Sequence, residues 1–413
     1  MNQPALADLL APYLDELLAF RRDLHAHPEI GHEEFRTTQR VAERLQRHGL
    51  QPALLPGTGL TCEVGGHHTG GHDTGGSVSA PLGPLVVLRA DLDALPLSDE
   101  TRLPWASTRP NVSHACGHDV HTTALLGAGL VLADLDALGR LPGRVRLVFQ
   151  AAEEVHPGGA LAAIAAGALD GAGRAFALHC DPANDVGVVA VRGGPITSAS
   201  DSVLVRLSGP GGHTSRPHLT GDLVYALARV VTELPAVLSR RLDPRAGVAM
   251  VWGRISAGGA PNAIPRTGEA HGTLRCLDST AWASAGTLVT DIVHGLVAPY
   301  GVRAEVFHTR GVPPTVNDSD AVLVVEEAVQ RELGHGRVVL AEQSLGGEDF
   351  AWMLEKVPGA MVRLGTRSPG GRTYDLHQGD FTVDERAVAV GARVLTAIGL
   401  ADLADRADPA PRA

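Results

Sequence analysis

Five places in the sequence carry side chains able to hold a metal ion or move a proton. They are Asp91-Leu-Asp93, His114-Ala-Cys116-Gly-His118-Asp119, the pair Glu153-Glu154, His179-Cys180 and, far downstream, His377 in Asp-Leu-His-Gln-Gly-Asp-Phe. Thiolate, imidazole and carboxylate are the ligands of zinc and similar divalent ions. Hydrolysis at such an ion also needs a carboxylate outside the metal shell to take a proton from the attacking water. Adjacent glutamates can divide those jobs, because neighbours in extended chain point different ways. Each place has a plainer use on its own: Asp91 or Asp93 as a cap, Cys116 as a buried thiol, Glu153-Glu154 as a solvated pair. Their joint occurrence after strand-like segments favours chemistry, since α/β folds build sites at strand ends.

The elements that must position these groups are legible as apolar runs. Residues 85–88, 144–149 and 175–178 are short apolar stretches suited to buried strands, with a helical stretch at about 119–138 between the first two. Two helices precede them, 5–26 and a second whose stripe is Thr38, Val41, Ala42 and Leu45 before Gly49. Strands alternating with helices predict an α/β sheet covered on both faces. From 191 to 311 the rhythm changes to strand 203–208, helix 219–238, strands 248–256 and 267–276, helix 279–298 and strand 302–308. That β-α-β-β-α-β order predicts a ferredoxin-like α+β domain inserted in the larger one. Helix 319–334, a strand near 337–341 and helix 382–399 then resume the α/β domain, giving domains of 1–190 with 312–413 and of 191–311. The Gly- and His-rich stretch 65–77 reads as a flexible loop; its three histidines could bind metal, but so many glycines preorganise ligands poorly.

Composition removes several alternatives. The chain has 413 residues, long enough for two or three domains without disulfide staples, and a net charge of −11 that disfavours nucleic acid and anionic membrane surfaces. Lys356 is the only lysine and sits in Glu-Lys-Val-Pro, which excludes a P-loop and leaves Schiff-base chemistry one poorly placed candidate. No His-Glu-x-x-His helix and no Gly-x-Ser-x-Gly elbow is present. No basic and apolar leader opens the sequence, no uncharged run approaches a membrane span, and the four cysteines are scattered, so the expectation is a cytoplasmic protein.

The chain resembles the metal-dependent amidohydrolases that include aminoacylases, hippurate hydrolases and auxin-conjugate hydrolases, a superfamily shared with carboxypeptidases and dipeptidases. The matching segments are Phe20–Glu29, Leu88–Pro96, His114–Asp119, Phe149–Glu154, Gly211–Ser215, Pro261–Pro265 and Gly346–Phe350, in family order over nearly the whole chain. The resemblance implies two divalent ions held by Cys116, His118, Glu154, His179 and His377, with Cys116 bridging. A thiolate favours zinc or cobalt, while the resemblance points equally to manganese. It makes Glu153 the general base and Asp93 the carboxylate that orients a ligand histidine. In the inserted lid and dimerisation domain, His213 would reach the neighbouring subunit's site to stabilise an oxyanion, and Asn262 and Arg275 would bind substrate. The implied reaction is hydrolysis of N-acyl-L-amino acids by a homodimer or higher homo-oligomer. A dipeptidase or carboxypeptidase with the same metals, or a non-catalytic metal or amino-acid sensor, are the competing readings.

Overall fold

The computed structural model describes residues 5–66 and 83–407, so the histidines of the Gly-rich stretch lie outside the described residues. By its contacts the chain divides into two units. One comprises Met1–Gly194, Val316–Glu342 and Trp352–Ala413, the other Pro195–Thr315 and Gln343–Ala351.

After a short helix, Leu6–Leu10, the first unit has helices α1 (Leu14–Ala26) and α2 (Phe35–Arg47). They bury Leu17, Phe20 and Leu24, and Val41, Ala42 and Leu45, each set on a helical three-or-four spacing. Strands β1 (Ala53–Leu54), β2 (Leu60–Val64), β3 (Leu85–Asp91), β4 (Arg144–Gln150), β5 (Arg174–Asp185) and β6 (Val189–Val191) follow, with α3 (His118–Ala137) between β3 and β4. Every residue of β3 is buried, which is why its first four, Leu85 to Leu88, read as a continuous apolar run rather than an alternation.

The second unit contains β7 (Ala199–Ser208), β8 (Gly212–His213), α4 (Leu223–Arg241), β9 (Ala249–Ala257), β10 (Ala263–Ile264), β11 (Thr267–Cys276), α5 (Ser279–Val297) and β12 (Arg303–Val312). Its four-stranded sheet has the order β9-β11-β7-β12, every neighbour antiparallel. Alternate residues Val203, Val205 and Leu207 of β7 join Leu227, Val230 and Leu234 of α4 and Val289 and Val293 of α5 in a separate apolar core. The segment Gln343–Ala351 groups with this unit, although by sequence it falls within 312–413. Backbone bonds explain it: Ser344 N–H donates to Ile196 O (2.9 Å) and Ser198 N–H to Gly346 O (3.2 Å).

The chain returns to the first unit through α6 (Ser319–Leu333), β13 (Val338–Leu340), β14 (Gly359–Arg367) and α7 (Arg386–Ala407). The completed sheet is mixed, in the order β1-β2-β4-β3-β5-β14-β6-β13. Strands β4, β3, β5 and β14 run parallel, while β2 and β6 are antiparallel to their neighbours β4 and β14. Helices α3 and α7 are long and apolar enough to cross a membrane, but 78% and 67% of their most apolar windows are buried, as in core helices packed on a sheet. They lie close together because Gly391 presents no side chain to Ala124. The parallel centre of the sheet therefore ends in loops that share one rim, where β3, β5 and the start of α3 deliver their polar residues.

Candidate active site

At that rim, β3 ends in Asp91 and runs into Asp93, the turn before α3 carries Cys116 and His118, and β5 carries His179. Gly117 makes the turn possible. Its φ is +90°, and a Cβ there would lie 2.7 Å from Cys180 Sγ, so Cys116 and His118 can flank it only because it is glycine. Ligand atoms of Cys116, His118 and His179 lie within 4.8 Å of one another, as do those of Cys116, Glu154 and His377 and those of His118, Glu153 and Glu154. The structure thus brings together all five residues proposed as ligands and the proposed base, although His377 is 198 residues downstream of His179 (377 − 179). His377 is fixed in a left-handed conformation (φ 60°), with its N–H donating to Ala115 O at 2.8 Å.

Each of the two buried candidate histidines is oriented through the ring nitrogen that faces away from the cluster. His118 Nδ1 donates to the Asp93 carbonyl (2.9 Å) and its carboxylate (3.2 Å), and His179 Nδ1 donates to Cys180 O (2.8 Å). Both rings therefore turn Nε2 toward the cluster, where His179 Nε2 lies 3.4 Å from Cys116 Sγ and His118 Nε2 lies 3.9 Å from Glu154 Oε1. Asp93 Oδ2 also accepts the Glu154 N–H at 2.9 Å, so one carboxylate grips both a ligand ring and the turn of the glutamate pair.

The donor set fits divalent ions. His118 Nε2 is buried with no hydrogen-bond partner, a state costing about 1–3 kcal/mol that a metal bond would offset. Burial pushes the Cys116 thiol well above its ordinary range, so its proton leaves when a cation takes its place. Burial disfavours charge on His118, but the Asp91 carboxylate outweighs it and holds the ring above the usual histidine range. Burial and then the Arg363 charge hold His179 well below that range, which keeps it a neutral ligand. His377 is raised by its contact with Glu154, whose Oε1 lies 3.1 Å from His377 Nε2.

Behind the cluster stand Asp91, which the sequence offers as a candidate without a role, and His121, which the sequence reading did not single out. Asp91 accepts from His121 Nδ1 (2.7 Å) and from Arg89 (2.7 Å), and His121 Nε2 in turn accepts the Cys180 N–H (2.7 Å). His121 thus ties α3 to β3 and to the Cys180 backbone of β5 beside His179. Its signal was present: it follows His118 by three residues, hence on the same helix face.

The second unit holds the other three candidates. His213 in β8 is exposed, pairs with Ala263 of β10, and stands beside Asn262, whose carbonyl accepts the Thr214 N–H at 3.2 Å. His213 Nδ1 accepts from Ser215 N–H (3.1 Å) and Ser215 Oγ (2.8 Å), which in the neutral ring leaves the proton on Nε2. Arg275 is in β11, paired with Ser200, and donates to Leu345 O at 3.0 Å. Thr267, where β11 starts, is eight residues earlier (275 − 267), about 26 Å along the strand, so Arg275 and the His213–Asn262 corner lie toward opposite ends of β11.

Comparisons with known proteins agree with this arrangement. The description Peptidase family M20/M25/M40 matches residues 87–400. The chain is 34% identical over 379 residues to the N-acetylcysteine deacetylase of Bacillus subtilis (strain 168), covering 91% of this chain and 94% of that one. It is 52% identical over 388 residues to a Rhodococcus jostii (strain RHA1) protein provisionally named a glutamate–cysteine ligase, covering 93% of this chain and only 47% of that protein, so it spans about half that relative's length. A solved Bacillus subtilis structure, described as a dinuclear metal-binding peptidase of the M20 family, superposes with a TM-score of 0.81 at 31% identity, covering 95% of this chain and 99% of that one. With its metal-ligand cluster at the rim of a mixed sheet and a family match over most of its length, this chain belongs to Peptidase family M20/M25/M40 and is a hydrolase.

Proposed function

We propose that the chain hydrolyses the amide bond of N-acyl-L-amino acids, releasing a carboxylic acid and a free amino acid. The observation that carries the reading is Glu153 standing beside Glu154 at a five-residue donor cluster, one glutamate more than ligation needs. Two divalent ions, zinc, manganese or cobalt, held by Cys116, His118, Glu154, His179 and His377 with Cys116 between them, would polarise the amide carbonyl and acidify a water molecule. Glu153 accepts the proton of the attacking water and passes it to the leaving nitrogen. Asp93 holds the His118 ring and the Glu154 backbone in register with it.

The second unit, whose strand and helix order is ferredoxin-like, serves as lid and dimerisation domain in this reading. His213, with Nε2–H as donor, stabilises the oxyanion of a neighbouring subunit's site, Asn262 assists it, and Arg275 binds the substrate carboxylate. The extent of β11 supports that division, because one small substrate does not span the about 26 Å of strand between Thr267 and Arg275. The deacetylase name of the Bacillus relative supports a short acyl group on a small amino acid. We place the enzyme in the cytoplasm, since all four cysteines are free and buried.

A peptidase acting on free dipeptides is the second reading, favoured by the likeness to a Bacillus structure described as a peptidase. The test is a panel of N-acetyl-L-cysteine, other N-acetyl, N-benzoyl and longer N-acyl amino acids, and free dipeptides. Chelator-stripped protein is assayed with zinc, manganese or cobalt restored. Metal-dependent release of amino acid from acyl substrates is the expected result. Turnover of dipeptides alone installs the second reading, and tight metal binding without any turnover points to a sensor.

A further inference from the structure

The glutamate pair sits on a turn that is strained where it begins. Ala152 adopts a φ of +56°, a left-handed conformation that a residue with a Cβ takes only when its surroundings enforce it. Three contacts hold the turn: Glu154 N–H on Asp93, Gly159 N–H on Ala152 O (3.0 Å), and Ala152 N–H on Glu34 Oε1 at 2.7 Å. The last partner lies 118 residues earlier in the sequence. Glu34 is fully buried, and its other oxygen accepts the Thr58 hydroxyl at 2.6 Å.

The rest of that early loop presses on the same two catalytic segments. A Cβ at Gly31 would meet Val155 Cγ2 at 2.6 Å and Ala152 Cα at 3.2 Å, so the loop backbone lies directly against the turn. Two residues earlier, Glu29 O accepts the Ala94 N–H at 2.8 Å, and Ile30 bridges to Ala94, next to Asp93. Residues 29–34 therefore hold both the orienting carboxylate's loop and the base's turn, with the Glu34 carboxylate as acceptor for the strained Ala152 N–H.

Resting on the amidohydrolase reading above, we propose that Glu34 is a positioning residue for the reaction. It touches no substrate; by receiving the Ala152 N–H it keeps Glu153 aimed at the reacting centre while Glu154 stays on the metal cluster. A buried carboxylate in this place is chemically specific, because a hydrocarbon of the same size leaves the Ala152 N–H and the Thr58 hydroxyl both unpaired. The turn then relaxes from its strained conformation and the two glutamates lose their fixed division of work.

The test compares Glu34→Ala, Glu34→Gln and Thr58→Val in the metal-loaded full chain. Readouts are kcat and KM, bound metal per chain, and hydrogen exchange of the peptide covering 151–159. Glu34→Ala is expected to lower kcat by about 30-fold or more, keep KM within about threefold and two ions per chain, and speed exchange in 151–159. Glu34→Gln, whose amide oxygen still accepts the Ala152 N–H, restores kcat to within about fivefold of wild type. The idea is overturned if Glu34→Ala keeps kcat within about twofold, or if Glu34→Gln is as defective as Glu34→Ala and both lose metal. Thr58→Val, which leaves the Glu34–Ala152 bond intact, keeps the test decisive should Glu34→Ala fail to fold: an unaltered exchange rate in 151–159 and kcat within about threefold of wild type are expected, and a loss of kcat of about 30-fold or more counts against the assignment. Failure of the functional reading looks different, as absent turnover in wild type with every amide, while faster exchange at 151–159 in Glu34→Ala still reports the positioning.

Discussion

The rim of the first unit and the β8–β10 corner of the second present functional side chains in opposite ways. At the rim, His118, His179 and Cys116 are buried, and His118 and His179 each have the far nitrogen pinned. At the corner, His213 and Asn262 are exposed, and the contacts that orient His213 come from Ser215, two residues away. Buried ligands are preorganised by the fold; exposed donors are organised only locally and complete their chemistry against something else. Damage to the buried donors of the rim should therefore spread to metal binding, whereas damage to Glu153 or to the corner should appear in turnover alone.

The hardest break is at the proposed base. Glu153→Ala is expected to lower kcat by about 10²–10⁴-fold with both ions still bound, measured by steady-state turnover beside metal analysis. Loss of metal in step with activity would instead make Glu153 a ligand and blur the contrast. At the corner, His213→Ala should lower kcat by about 10²-fold or more, as for loss of an oxyanion donor, with unchanged metal content. Its exposed ring predicts a stability change within about 0.5 kcal/mol, checked by denaturant unfolding. Mixing His213→Ala with Glu153→Ala protein sharpens the point, since recovered activity in the mixture would show the donor acting between chains.

Behind the ligands, Asp93→Asn should weaken metal binding by about 10–100-fold, read by competition with a chelating dye. The smallest effect lies away from both regions. Asp384 accepts the Arg386 N–H (3.0 Å) at the start of α7 and also receives Ser368 Oγ (2.8 Å). Its hydrogen bond to the Arg386 side chain leads in pulling its carboxyl down to about 2. Its contribution is thus present above the ordinary carboxylate range and is lost as pH falls toward about 2. Asp384→Ala should cost about 1 kcal/mol at neutral pH and flatten that acid limb in unfolding measurements, without touching metal content or turnover.

Much of this was legible from local pattern. The runs at 85–88, 144–149 and 175–178 are strands because central parallel strands bury both faces, and an apolar run leaves few other options. Cys116, His118, Glu154 and His179 stand out because ligand-type residues follow strands. His377 carries no such local cue, since its position depends on the Ala115 contact and a strained backbone that no spacing encodes. His121 and Glu34 were missed as site members, and Asp91 was left without a role, for a related reason: their work is done through hydrogen bonds between segments apart in sequence. Gln343–Ala351 is hard to place for the same reason, because backbone bonds to Ile196 and Ser198, not its own composition, decide where it belongs.

The single lysine has a practical consequence. Lys356 is exposed in the bend between a short helical turn, Ala351–Leu354, and β14. Apart from the α-amino group, it is the only primary amine in the chain, and the four thiols are buried. An amine-reactive dye or resin therefore has one side chain to find besides the α-amino group, and because that group, with its pKa of about 8, reacts first near neutral pH, the two attachment points can be separated by pH without engineering. A lysine-specific protease likewise has one cut to make, yielding fragments that part just before the strand leading to His377.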